Sequence, residues 1–170
     1  MSSTSIKLHS LGYSQAITYL TASLFIAGNI ILPQLFHLVP QGGITWLPIY
    51  FFTLIGAYKY GWKVGLLTAV FSPLVNSALF GMPALAVLPA ILIKSVLLAT
   101  AAGLAAKRYQ RISILILTGA VLFYQIVGTL AEWLITGSFF TAVQDFRMAV
   151  PGMLLQIFGG YLFIKYLLKK

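Results

Sequence analysis

An all-α membrane protein, a bundle of six transmembrane helices with both termini cytoplasmic, is the fold class the sequence predicts, and three observations carry it. Of its 170 residues, 60% are hydrophobic and 8% charged, where a soluble domain would carry about 25% charged residues. The long apolar runs are hydrophobic all round instead of alternating with period two, which argues against a membrane β-barrel. The basic residues fall at alternate ends of those runs. At about 20 residues per crossing plus short loops, the length accommodates six spans in one membrane domain over residues 1–170.

Residues 1–15 are polar, with Lys7 and His9, and lack the apolar core and small-residue cleavage pattern of a removable signal peptide. The first span covers about 16–32 and stops at Pro33. Residues 34–45 then form a Pro- and Gly-punctuated loop. Leu35, Phe36, Leu38 and Val39 would expose apolar surface there unless the loop folds back over the helices as a lid. The second span, about 44–58, has aromatic residues at both ends as interfacial anchors. Lys59 to Lys63 make the next turn. Pro73 lies inside the third span, 64–80, so a kink is expected, or re-satisfaction of the backbone by Ser72 or a neighbour. A corner at Gly81, Met82 and Pro83 leads into the fourth span, 85–106. The fifth covers 112–135 and the sixth 148–168, with a loop at 136–147 between them.

The charges set the orientation. Nine of the eleven basic residues, Lys7, Lys59, Lys63, Lys107, Arg108, Arg111, Lys165, Lys169 and Lys170, lie on one side of this layout. Only Arg147 lies on the other, and Lys94 is inside a span. The positive-inside rule therefore places the lid-like loop, the 81–83 corner and the 136–147 loop outside. The formal charge of +9 is read as attraction to anionic lipid headgroups, not to nucleic acid, because it is distributed over short loops.

Lys94 stands out among the polar residues of the spans. About nine residues inside the fourth span, it is expected roughly 13 Å deep at 1.5 Å per residue, near the bilayer midplane. An ionisable group there costs about 2.5–3.5 kcal/mol or more and is a functional-site hypothesis by default. Gln125 and Gln156 are expected at a similar level, with Asn76 and Glu132 nearer the outside. Ser72 and Asn76, four apart, share a helix face. Trp46, Tyr50, Phe139 and Phe140 would supply apolar walls, and His37 and Arg147 come from the outer loops. This inventory suits a small polar ligand.

Structural readings stand beside these functional ones. Lys94 is a ligand-facing cation or the partner of Glu132, the only acidic residue in a span, and the two uses are compatible. Asn76, Gln125 and Gln156 are either ligand contacts or interhelical hydrogen-bond glue. His37 reads as a lid residue, and Asp145 with Arg147 as a solvated pair. On the first span Thr18 and Ala22, and Ser23 and Ala27, repeat small residues at four-residue spacing, a stripe for packing within the bundle or against a partner helix.

Catalysis is not expected. The chain has no cysteine, no pair of buried carboxylates for acid/base work, no Ser/His/acid set, no phosphate loop and no zinc motif, so neither metal nor cofactor is implied. Only Glu132 would relay a proton within a span, which makes self-powered transport thinly supplied.

Thr45, Trp46, Leu47 and Pro48, then Gly61 and Gly65, Ser72-Pro73-Leu74 with Asn76, Phe80-Gly81-Met82-Pro83, Pro89 and Gly103 before Lys107-Arg108 together resemble the substrate-binding S components of energy-coupling factor (ECF) transporters. The resemblance covers mainly residues 44–107. It implies a prokaryotic cytoplasmic-membrane receptor for a vitamin or similar micronutrient. That receptor binds its ligand from outside and works with a transmembrane T component and two cytosolic ATPases. It also implies that small first-span residues, here Ala22, Ser23 and Ala27, contact the T component. Trp46 and Lys94 depart from the family, which leads one to expect a histidine and an acid there. On this reading Lys94 would attract an anionic or carbonyl-bearing ligand beneath the two outer loops. The alternative is a structural six-helix protein of an envelope-assembly complex.

Overall fold

The computed structural model describes residues 8–167. Lys7, Lys169, Lys170 and the end of the expected sixth span at Leu168 lie outside the described residues. Within them the chain is helical, with no strand. Four helices are long and apolar enough to cross a membrane: α1 (Ala16–Phe36), α4 (Trp62–Phe80), α5 (Leu88–Tyr109) and α6 (Ile114–Thr136). Between and after them come α2 (Gly42–Trp46), α3 (Phe51–Tyr60), α7 (Phe139–Ala142) and α8 (Gln144–Met148). The final run consists of α9 (Val150–Leu154), α10 (Gly160–Leu162) and two π-helical turns at Leu155–Gly159 and Phe163–Leu167. Leu24, Leu115 and Leu134 face outward at 65–85% exposure, while Asn29, Ser72, Gln125 and Gln156 are buried at 0%. Apolar outside and polar inside is the reverse of a soluble protein, and lipid is the solvent it fits. The chain is a helical membrane protein.

The helices differ from the expected spans in four places. The first does not stop at Pro33 but continues to Phe36 with Pro33 buried inside it. A proline there leaves the carbonyl four residues earlier, that of Asn29, without its helical N–H donor. The Asn76 side-chain amide supplies the substitute, donating from Nδ2 to the Asn29 carbonyl at 2.9 Å. Asn76→Ala is expected to cost about 1–3 kcal/mol by orphaning that carbonyl. Adding Pro33→Ala, which restores the missing N–H, should recover part of the loss in a thermal-unfolding measurement.

The second span is not one helix. Leu47 adopts a left-handed conformation, φ 45°, which breaks α2 from a 3₁₀ turn (Pro48–Tyr50) leading into α3. Helical structure from Pro48 to Tyr60 is about 20 Å long, short of the roughly 30 Å hydrocarbon thickness. Leu54, Ile55, Ala57 and Tyr58 on α3 are wholly buried, so this half-length helix is the axis of the bundle. At its far end Gly61 turns the chain at φ 103° into α4, with Ser10 and His9 backbone packed against it. Lys59, expected in a headgroup-facing turn, is buried there at 0% exposure.

The third difference is the start of α5 at Leu88, with Pro89 in its first turn, a position proline favours. Lys94 is then the seventh residue of the helix, about 9 Å from its start at 1.5 Å per residue, nearer that end than the expected depth of about 13 Å. The fourth is the final run, broken by π-helical turns where one continuous span was expected.

Candidate functional site

Because α3 begins only at Phe51, the space above it at one end of the bundle is left unfilled by helix. A cavity of about 590 Å³ occupies it, within the usual size range of small-molecule sites. Its floor is Leu47, Pro48, Ile49 and Tyr50 at the head of α3. Pro33 and residues 39–44 close one side, and residues 82–84 with Val87, Ala90 and Ile91 the other. The wall is mostly apolar, and its charged groups gather in one place.

That place is Lys94. Its Nζ donates to Glu132 Oε2 at 2.5 Å and to Asp145 Oδ2 at 2.8 Å. The lysine side chain is 4% exposed, and the carboxylates 14% and 16%. Lys94 sits near the start of α5 and Glu132 near the end of α6, and the two helices run antiparallel. Asp145 reaches the same ammonium from α8. Gly128, one turn before Glu132 on α6, makes the approach possible, because a Cβ there would fall on Lys94 Cγ. The only two acidic residues of the chain thus converge on one lysine.

Several expectations change accordingly. Lys94 is not an unpaired cation waiting for a guest; its partner reading holds and extends to Asp145. Asp145 does not pair with Arg147, which is exposed and packs over the Phe140 ring at 4.2 Å. Trp46 faces Phe36 at 5.5 Å between ring centres, and Phe139 faces Trp133 at 5.3 Å. Neither they nor Phe140 line the cavity, whereas Tyr50 does. His37 lies at its exposed rim.

Asn76 and Ser72 point elsewhere, into a polar tie between α1, α3 and α4. Asn29 Nδ2 donates to Thr53 Oγ1 at 3.1 Å and to Ser72 Oγ at 3.2 Å, and Asn29 Oδ1 accepts from Phe52 N–H. Gln156 Oε1 accepts from Tyr124 O–H at 2.9 Å, and the Tyr124 ring is 5.3 Å from that of Tyr50. The Gln125 amide is buried with no hydrogen-bond partner among the described residues. None of Asn76, Gln125 and Gln156 lines the cavity. The small-residue stripe on α1 divides: Thr18 and Ala22 are buried in the bundle, while Ser23 and Ala27 are exposed.

Sequence reasoning passed over Asp145 as a functional residue, although its being one of two acids in 170 residues was a usable signal. The other half of the site, the void above α3, depends on the Leu47 backbone turn, which no residue type there announces.

Compared with known protein families, with curated proteins and with solved structures, the chain matches none. Fold and site define a helical membrane protein with a small-molecule-sized cavity at one end, polarised by buried Lys94 and its two partly buried carboxylates.

Proposed function

We propose that this protein captures a small molecule in the end cavity, as the substrate-binding S component of an ECF-type importer in a prokaryotic cytoplasmic membrane. The observation that carries the reading is the cavity itself, about 590 Å³ and mostly apolar, with Lys94, Glu132 and Asp145 in its wall. A mostly apolar hollow of that size, half open at one end of the bundle, gives a small molecule a place to bury most of its surface.

In this proposal the chain crosses the membrane six times, the short α3 and the segmented 150–167 run completing the four long helices. The cavity end faces outward and both termini are cytoplasmic. Lys63, Lys107, Arg108 and Arg111 lie at the end opposite the cavity, as the positive-inside rule asks of a cytoplasmic face. Residues 37–44 cover the guest, which is a vitamin or related micronutrient. Ser23 and Ala27, exposed on α1, meet the transmembrane T component; Ala22, 1% exposed, acts from inside the bundle by keeping α1 close. Two ATPase subunits on the cytosolic side supply the energy. The test is retention of a small molecule by the purified chain, and its loss when the cavity is filled by Ala90→Phe.

A further inference from the structure

We infer that the molecule captured in the end cavity carries a positive charge, an organic cation seated against Glu132 and Asp145. This rests on the capture reading and narrows its ligand class. Two carboxylates share one ammonium at 2.5 and 2.8 Å, so with all three groups ionised the triad carries one negative charge in excess. All three line the cavity. In surroundings of low dielectric an uncompensated charge is unfavourable, and a guest that neutralises it is drawn in. The third N–H of the Lys94 ammonium is left for a guest, but an anionic guest there would add its charge to the excess already carried by the two carboxylates.

No other cation of the described residues takes up the excess inside the cavity. Arg147 is exposed and stacked over Phe140. His37 lies at the exposed rim, away from the triad's buried lysine. The rest of the wall suits the organic part of such a guest. Tyr50 on the floor supplies an aromatic ring, which attracts cations through its π face, and Ile91 and Leu47 supply apolar contact. Lys94 holds the two acids in place, and the acids recognise the guest.

The experiment is thermal unfolding of the full-length protein in detergent with thiamine and pyridoxamine as cationic probes, biotin and nicotinate as anionic ones, and riboflavin as a neutral one. Wild type is compared with Asp145→Asn. That variant leaves the Lys94 to Glu132 pair intact and brings the site to net zero. Asp145→Glu, which keeps the charge, is the control. The inference expects a cationic probe to stabilise wild type and Asp145→Glu, and its affinity to fall at least about tenfold in Asp145→Asn, whose own melting point stays close to wild type. Preferential stabilisation by an anionic or neutral probe, undiminished in Asp145→Asn, overturns the inference and leaves the capture function standing. Cation binding that Asp145→Asn does not weaken overturns it equally. No stabilisation by any probe at millimolar concentration, with native mass spectrometry finding the purified protein bare, overturns the inference and the capture function together.

Discussion

Lys94→Met is expected to cost up to about 3–5 kcal/mol of stability, because removing the one buried cation leaves two partly buried carboxylates facing each other with no counter-charge. A lone lysine facing a cavity would give the opposite result, since methionine is the better guest of an apolar interior. Here Glu132 and Asp145 would be left opposite each other, 14% and 16% exposed, with no cation between them. The rescue identifies the cause. In the triple variant Lys94→Met, Glu132→Gln, Asp145→Asn no charge remains to be buried, and stability measured by thermal or denaturant unfolding in detergent should return toward wild type. A triple variant as unstable as the single one would mean that the lysine stem, not its charge, matters.

Gly128→Ala is the second large effect expected, and it acts on the same group from the other helix. The added methyl would occupy the place of Lys94 Cγ, and overpacking of this kind costs about 1–3 kcal/mol. The displaced lysine would also draw Glu132 and Asp145 out of register, so ligand binding should fall with stability. A double-mutant cycle separates this from a general defect in α6. In the Lys94→Ala background, where no stem crosses Gly128, the same Gly128→Ala change should be nearly neutral. Equal costs in the two backgrounds would place the effect elsewhere.

The parts of the fold that the sequence made legible are those where composition alone decides the structure. The unbroken apolar runs of α4, α5 and α6 lie within three residues of the third, fourth and fifth expected spans at both ends. Lys94 and Glu132 drew attention because charge inside such a run is expensive. Where a local rule competes with a tertiary contact, the reading failed. Pro33 looked like a helix end because its missing N–H usually ends one, but Asn76 from α4 supplies the donor. Asn29, whose side chain joins α1 to α3 and α4 through three hydrogen bonds, gives no sign of that role in the sequence. The 44–58 run looked continuous because Leu47 carries no mark of a left-handed turn, a conformation unusual for leucine. The void above α3 follows from that turn, so the cavity was the least predictable feature. Asp145 was misplaced for a related reason: a charge in a short connecting segment is normally solvated, and only the packing of α8 against α2 and α9 brings it inward.

On the capture proposal, the space above α3 is kept open for a guest and is not a packing defect. Native mass spectrometry of the protein purified from its own membranes tests it most directly, in wild type and in Ala90→Phe. Ala90 lies one turn before Lys94, lines the cavity and is 5% exposed. Wild type is expected to carry a bound mass of vitamin size and Ala90→Phe none, with the variant folded and at least as resistant to heat as the emptied wild type. A wild type that flies bare, or an identical adduct on both proteins, would contradict it.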